Sequence, residues 1–464
     1  MNSKKNSTIL LILLVSFGTF AQKQILTLKE AVNTSLENYG TIKAKNYYVD
    51  AAQETVKQAK REYLPNLNIS AQQTYGTING QNGPLYGLGG LGVASSGLPL
   101  PEQNWNAAFG ALYLANVNWD FFTFGRIQEK INLSKVAAEQ NKSDLEQEKF
   151  QHKIKVSAAY LNLLATQRLL LSQRKNLDRA EVFKNIATQR VKNGLLAGVD
   201  SVLATAEVSK AKILLNQAKE AVKEQNNKLS FLMGTTVQDF VLDTTLVYRI
   251  PASVLTLESS ATANHPVLEF YKNRVDYSNQ QVKLFKRNYY PTFNLFGVFQ
   301  TRASGFDSQY AVDQHAYTRN YFDGIDPSRS NYLVGVGVVW NLTAPFRVSK
   351  QVHAQKLVSE GLQQEYEVVN QELKAQLDVA NAKIQFAMDN YNEAPIQVNA
   401  ASQAYRQKNA MYKNGLATMV DITQTLYTLN RAEIDRDIVN NNVWQSLLLK
   451  AAATGDFNLF INEF

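Results

Sequence analysis

An internal repeat with a constant offset of 221 residues constrains this chain more than any other feature of its sequence. Trp119 recurs as Trp340, the tetrapeptide 192–195 recurs as 413–416, and the spacing holds from one match to the next. Long sections between the matched points differ in sequence. Because the offset stays constant although the two sequences differ, the lengths of the elements themselves must be preserved. Preserved lengths are typical of elements that stack side by side. We therefore predict two structural repeats, 22–254 and 255–464.

The first 21 residues have the features of a secretory signal peptide. Lys4 and Lys5 precede the apolar run 9–17, which is too short to span a bilayer, and Ala21 closes a stretch with small residues at the cleavage positions. The chain contains no cysteine. A secreted protein of this length without disulfides has to be held together by its core or by oligomerisation.

The hydrophobic period changes from helical to alternating at Pro65 and back to helical after Gly125. Between the two strands lies the glycine-rich loop 76–106, in which a GxGxxG match at 87–92 lacks the strand-to-helix context of a dinucleotide site. The helix predicted over 199–232 carries a heptad seam typical of a coiled coil. For the first repeat we predict a helix over 27–62, strands over 64–75 and 107–120, a long helix over 127–191, a helix over 199–232 and an equatorial linker over 233–254.

The second repeat has the same order of patterns. Pro395 falls inside its long helix, and we expect it to interrupt and kink that helix. The seam of the last helix is rougher, because Arg436 and Lys450 fall on it. The predicted elements are a helix over 256–288, strands over 291–303 and 331–342, a long helix over 347–412, a helix over 419–453 and a C-terminal tail.

The strands have the pattern of membrane-spanning strands. Tyr332 and Trp340 lie eight residues apart on one face, about 27 Å at the rise of a strand, with valine between them. That distance matches the apolar band of an outer membrane, which has aromatic residues at both rims. Trp119 is the corresponding rim residue on another strand, and we predict that Tyr113 also lies at the membrane interface. Four strands cannot close a barrel, but three copies supply twelve.

Other functional classes receive little support from the sequence. The formal net charge of +8 is spread over helical segments without a basic stripe, so we expect no nucleic-acid partner. The four histidines are scattered, no GxSxG occurs and no cysteine is available, so we expect neither an enzyme nor a cofactor or metal site. A periplasmic coiled-coil scaffold or adaptor without a pore stays open as the alternative to a channel.

Taken together in order and register, these motifs resemble the TolC family of outer-membrane efflux and secretion channels. The resemblance rests on the duplicated helix–strand–strand–helix–helix plan, on the strand end 119–126, and on the paired tips 192–200 and 413–421. It implies a mainly α fold with a small β part. As a homotrimer, the chain would form a 12-stranded transmembrane β-barrel in outer-membrane lipid, continued by a periplasmic α-helical barrel.

The resemblance also implies a function and candidate sites. The channel would be a passive duct for efflux or type I secretion, joined through a periplasmic adaptor to an inner-membrane pump of the RND or ABC type. The adaptor would dock on Gly194, Leu195, Gly415 and Leu416. Asp421 matches an acidic position of the family's gate, Gln424 stands where a second acid is found, and Asp200 matches the acid of the first tip. Both aspartates can alternatively be helix N-caps.

Overall fold

The structure is a computed structural model that describes residues 25–80, 97–195, 197–245, 249–254 and 264–464. The predicted signal peptide and the glycine pattern 87–92 lie outside these residues. The helices are α1 (Leu28–Asn38), α2 (Gly40–Arg61), α3 (Arg126–Lys192), α4 (Gly198–Met233), α5 (Pro266–Lys286), α6 (Tyr321–Ile325), α7 (Ala344–Lys413), α8 (Met419–Thr454) and α9 (Asn458–Ile461). The strands are β1 (Ile25–Leu26), β2 (Asn66–Thr77), β3 (Ala107–Phe122), β4 (Val241–Leu242), β5 (Thr292–Ser304) and β6 (Arg329–Val339).

The single helix predicted over 27–62 is wrong, because the chain breaks at Tyr39 into α1 and α2. Tyr39 has extended dihedrals, φ −66° and ψ 122°, and its ring stacks on His152 at 3.9 Å between centroids. The helical periodicity continues through this point in the sequence. The break is a tertiary effect, since the aromatic contact holds Tyr39 outside the helical conformation.

The matching helix of the second repeat begins later than predicted. Residues 255–263 lie outside the described part, and His265 is not helical; α5 starts at Pro266. Proline suits the first helical position because its missing N–H is not needed there. The Nδ1 atom of His265 accepts a hydrogen bond from the backbone N–H of Val267 at 3.1 Å, so the imidazole serves as the helix cap.

Pro395 does not interrupt the long helix of the second repeat. The helix α7 runs unbroken from Ala344 to Lys413 with Pro395 inside it. Proline removes one backbone hydrogen bond, and the remaining turns of a 70-residue helix continue on both sides. The proline signal therefore marks a local loss of one bond rather than an element boundary.

The four longer strands form one antiparallel sheet in the order β2-β3-β5-β6. The strands are displaced slightly from the predicted ranges. β2 begins at Asn66 rather than at 64, and β6 begins at Arg329 rather than at 331, because Arg329 pairs with Arg302. β6 ends at Val339, whose partner Thr292 is the first residue of β5 after Pro291. Within the described part, β2 and β6 each have one unpaired edge.

The chain divides into two compact units, 1–48 with 142–271 and 365–464, and 49–141 with 272–364. The second unit contains the sheet. The core of the first unit surrounds Tyr160 on α3, whose hydroxyl donates to the Leu26 carbonyl at 2.8 Å beside the parallel pair β1–β4. Burial raises the pKa of this phenol above its usual value.

The heptad seam of α4 is buried at Ala204, Val208, Ala211, Leu215, Ala218 and Leu229, whereas Val222 on the same seam is only partly buried. Asn226 is buried as well, and its side-chain oxygen accepts a hydrogen bond from the Phe240 N–H at 3.1 Å. On α8, the side chain of Lys450 is also buried, although a charged residue does not fit an apolar seam. No helix in the described part of the chain is long and apolar enough to cross a membrane.

Candidate functional site

One face of the four-stranded sheet is apolar and exposed. Cross-strand partners lie on the same face of a sheet, so the pairing places Ile69, Ala115, Phe299 and Tyr332 in one row across all four strands. Ile69 and Tyr332 are 82% and 83% exposed. Exposed apolar area of this extent marks a surface that is covered by a partner or by lipid.

The predicted rim tryptophans bind the ends of the strands to the residues that follow α2 and α5 in the two repeats. The indole Nε1 of Trp119 donates to the carbonyl of Tyr63 at 2.7 Å, and that of Trp340 donates to the carbonyl of Tyr289 at 3.2 Å. Both rings remain exposed. A satisfied N–H beside an exposed apolar ring is the arrangement that favours tryptophan at a membrane–water interface.

Tyr113 is in a different environment, because α6 lies over it. Its hydroxyl donates to the Ile325 carbonyl at 3.2 Å. The helix approaches the strand closely at Gly324, where a Cβ atom would lie 2.5 Å from the Cβ of Phe109. Sequence reasoning missed α6, a five-residue helix that follows the side-chain cap of Asn320. Helix α6 therefore covers the apolar face at the end of the sheet near the segment between β5 and β6, and the face is exposed further along the strands.

The two hairpin tips have the same backbone conformation. Gly194 and Gly415 adopt left-handed φ values of 70° and 74°. The next residues, Leu195 and Leu416, donate from their backbone N–H groups to carbonyls five residues earlier, which closes the C-terminal turns of α3 and α7. Both leucine side chains are about 70% exposed. Each tip thus presents an exposed leucine side chain on its turn.

One of our two interpretations made Asp421 the N-cap of α8, and the structure shows that this interpretation is wrong. Thr418 is the N-cap of α8, and its hydroxyl accepts from the Asp421 N–H at 3.2 Å while the carboxylate accepts from the Thr418 N–H at 3.0 Å. This reciprocal pair is a capping box. Lys408 lies 3.7 Å from the second carboxylate oxygen, and the hydrogen bonds from Thr418 lower the pKa of Asp421. Gln424 is exposed on the following turn.

The first tip lacks this cap. The N-cap of α4 is Ala197, which makes no side-chain bond, and Asp200 lies in the first turn. The N-cap interpretation is therefore wrong for Asp200 as well. An acidic side chain in the first turn still interacts favourably with the helix dipole. Burial raises the pKa of the Tyr412 phenol, and the charge of Asp200 adds to this increase.

An arginine that sequence reasoning missed joins the two tips. The guanidinium of Arg190 on α3 donates to the carbonyls of Tyr412 at 2.7 Å and of Lys413, the last two residues of α7. It also lies over the ring of Tyr412, which is buried against Phe183. A cation near helix C-terminal carbonyls is favourable because those groups have no partners within the helix.

The described residues contain no group of three or more histidine, cysteine or acidic side chains that could hold a metal ion. The features that stand out are the exposed apolar sheet face and the two helical tips that Arg190 links. This combination suits a protein that is inserted in a membrane and contacts other proteins.

Comparisons with known proteins agree with this conclusion. Similar folds occur in VceC of Vibrio cholerae (16% identity, 92% of this chain and 96% of that chain covered, TM-score 0.70) and CmeC of Campylobacter jejuni (15%, 92% and 85%, 0.71). A third is the open state of the MtrE outer-membrane channel of Neisseria gonorrhoeae (14%, 92% and 89%, 0.69). A search among curated proteins found no sequence match.

The family model described as outer membrane efflux protein matches residues 31–235 and 257–448, one match in each repeat. The two matches cover most of the chain and divide where the sequence repeat divides. The scaffold alternative finds no support in these comparisons. The chain therefore belongs to the outer membrane efflux protein family, and it is a channel protein of the outer membrane that extends into the periplasm.

Proposed function

We propose that three copies of this chain assemble into one passive duct, with twelve strands closing a β-barrel in the membrane and the helices forming an α-helical barrel in the periplasm. The observation that carries this proposal is the four-stranded sheet with two unpaired edges, β2 and β6. Open edges with an exposed apolar face invite further strand pairing. Pairing β6 of one copy with β2 of the next would satisfy both edges and close the sheet.

The helices support the same assembly. On α7, Val368, Val379 and Phe386 are each more than half exposed. Their separations of 11 and 7 residues keep them on one side of the helix, because both are close to whole numbers of turns. A long helix with an apolar stripe toward water requires a partner helix. Neighbouring copies would supply it.

The first test is the mass of the purified protein in detergent, measured by light scattering with the detergent contribution subtracted. We expect three protein chains per particle, because one copy cannot close its sheet. The particle should dissociate only on heating, with a mobility shift in gel electrophoresis. A stable single chain that keeps its strand signal by circular dichroism would contradict the assembly.

We further propose that the hairpin tips dock on a periplasmic adaptor, which links this channel to an inner-membrane pump of the RND or ABC type. Leu195 and Leu416 support this assignment, since an exposed leucine on a rigid turn can act as an anchor in a partner's pocket. The channel itself would supply no energy. Its contribution would be a continuous path and an entrance that opens when the tips move.

The entrance is proposed to be gated at the second tip by Asp421, with Gln424 on the following turn of α8 and Asp200 in the first turn of α4. Three copies of Asp421 around one axis would attract cations into the entrance. The capping box gives this carboxylate a structural task too. The two roles can be separated because the cap needs an acceptor oxygen, whereas attraction of cations needs the charge.

Asp421→Asn and Asp421→Ala should therefore be compared in planar bilayers. Asparagine keeps an oxygen for the Thr418 N–H but removes the charge, and alanine removes both. If the charge attracts cations, both variants should lose block by millimolar Mg²⁺ to the same extent, because each removes three charges from the ring. Block that persists in Asp421→Asn and is lost only in Asp421→Ala would leave the aspartate with the capping role alone.

A further inference from the structure

Four lysines line a cleft in the second unit, close to the end of the sheet at which β5 begins. The cleft has a volume of about 730 Å³ and lies between α3, α5 and α7. Two acidic residues, Glu139 and Asp276, line it as well. The lysines of this lysine cleft, all of them exposed, are Lys135 on α3, Lys283 and Lys286 on α5, and Lys356 on α7. Positive charge is therefore in excess.

The charges of these lysines are not neutralised, unlike that of the neighbouring Arg287. The guanidinium of Arg287 contacts the carboxylate of Glu129 on α3 at 2.9 Å. Among the described residues, no acidic side chain lies within 4 Å of the Nζ atom of any of the four lysines. Lys283 and Lys286 are three positions apart and are therefore neighbours on the surface of α5, where like charges repel each other. An anion bound between them would remove this repulsion.

The lysine cleft opens on the same side as the apolar face of the sheet. A second cleft, on the other side, is lined by Leu284 of α5 and by the paired residues Asn66 and Asn118. Asn66 is three positions from Ile69 of the apolar row and therefore points to the opposite face of the sheet. Leu284 and Lys286 are about 200° apart around α5. The second cleft thus adjoins the polar face, and the lysine cleft adjoins the apolar face.

Two of the lysines lie at the depth that a layer of lipid headgroups would occupy. The indole of Trp340, a predicted membrane-rim residue, donates to the carbonyl of Tyr289 at 3.2 Å. Lys286 and Lys283 precede Tyr289 by three and six residues, about 5 and 9 Å at helical rise. The headgroup layer on each side of a bilayer is about 5–8 Å thick. Long lysine side chains can reach such a layer from either position.

We propose that the lysine cleft binds the headgroup of an anionic phospholipid in the periplasmic leaflet of the outer membrane. Its depth rests on the proposed insertion of the sheet in the membrane. Lys283 and Lys286 would donate charge-assisted hydrogen bonds to the phosphate oxygens. Lys135 and Lys356, which are further from the sheet, would add to the attraction of anionic lipid. An acidic protein segment is a weaker candidate, because the cleft adjoins the face that would contact lipid.

The binding is tested by native mass spectrometry of the full-length protein in detergent, titrated with phosphatidylglycerol or with phosphatidylcholine of the same acyl chains. We expect the wild type to bind phosphatidylglycerol at least about tenfold more tightly, because each lysine near the headgroups adds to the attraction. Lys283→Gln/Lys286→Gln should lose this preference, and Lys283→Arg/Lys286→Arg should keep it. Lys219→Gln/Lys228→Gln, which removes two exposed lysines of α4 from the first unit, is the matched control and should change nothing.

Three results would overturn the lipid site. The first is an equal preference for phosphatidylglycerol in the wild type and in Lys283→Gln/Lys286→Gln, and the second is no preference in the wild type. The third is displacement of phosphatidylglycerol by an equal concentration of inorganic phosphate or of poly-glutamate. Displacement by phosphate would assign the cleft to free anions, and displacement by poly-glutamate would assign it to an acidic protein segment.

The depth of the site is tested separately, and the absence of cysteine from the chain makes single labelling sites possible. Lys283→Cys and Val334→Cys, the latter at an exposed position of β6, each carry a fluorophore in lipid nanodiscs. We expect headgroup nitroxides to quench the first label and acyl-chain nitroxides to quench the second. Quenching at position 334 alone would overturn the depth of the lysine cleft and leave the inserted sheet intact. No quenching at position 334 would refute the insertion itself.

Discussion

Gly455→Ala should destabilise the first unit by about 3 kcal/mol. Gly455 ends α8 with a left-handed φ of 79°. A Cβ atom there would lie 2.8 Å from the Cα and Cδ2 atoms of His265. The methyl group would displace the imidazole, whose Nε2 donates to Ala452 and whose Nδ1 caps α5. Strain, overlap and two lost hydrogen bonds thus add together.

Gly415→Ala is the matched control. Gly415 has a similar φ of 74°, but nothing lies within 4 Å of the position where its Cβ would be. Only the left-handed strain remains, which costs about 1 kcal/mol. The comparison is made on melting temperatures followed by circular dichroism at 222 nm in the same detergent. Equal decreases in the two variants would show that the contact with His265 adds nothing to the backbone strain.

Arg190→Ala should increase the open population of the channel about tenfold. The guanidinium joins the end of α3 to the last carbonyls of α7, and one charge-assisted bond contributes about 1.5–3 kcal/mol. Losing it frees the second tip from the first, so the entrance should open more often. The effect is read as open probability in planar bilayers, or as sensitivity of cells to large antibiotics that enter through an open duct.

Two variants separate the link from the charge. Lys192→Ala removes the same charge from an exposed position at the same tip. Arg190→Lys keeps the charge but cannot reach two carbonyls in the fork geometry of a guanidinium. We expect little change from the first and a partial effect from the second. An Arg190→Ala channel that opens no more than the Lys192→Ala channel would show that the tips are held closed by other contacts.

The features that could be predicted from the sequence were those set by local pattern and by length. Period-two alternation identified the strands around Trp119 and Tyr332, because residues on one face of a strand recur at every second position. The Asn-Gly turns at the tips were visible because a left-handed residue favours glycine. The Thr418-x-x-Asp421 spacing is also visible in the sequence as a capping-box pattern, whereas our alternative to a gate role for the aspartate was that it is itself the N-cap.

The features that were missed depend on contacts between distant residues. Tyr39 breaks its helix through His152, more than a hundred positions later in the chain. Arg190 contacts Tyr412, 222 positions away, and the repeat does not by itself show that the two tips touch. The opposition of Arg302 and Arg329 follows from the strand register, which is known only once β5 and β6 are paired. Sequence patterns predict whether a segment is a helix or a strand, whereas packing determines which elements contact one another.

The repeat separates the parts of this chain that can change length from those that cannot. The segment between β2 and β3 has 29 residues (78–106), and that between β5 and β6 has 24 (305–328), a difference of five. The offset between the repeats falls from 226 at Tyr63 and Tyr289 to 221 at Trp119 and Trp340, the same five residues. From Trp119 to Gly234 nothing is gained or lost.

One residue inserted in α3 would turn everything beyond it by about 100° and move it about 1.5 Å along the axis. A residue inserted in a loop between two strands leaves the strand pairing and the long helices unchanged. Changes of length can therefore accumulate in the two inter-strand segments without a change at the tips. A grafted peptide should be placed there for the same reason.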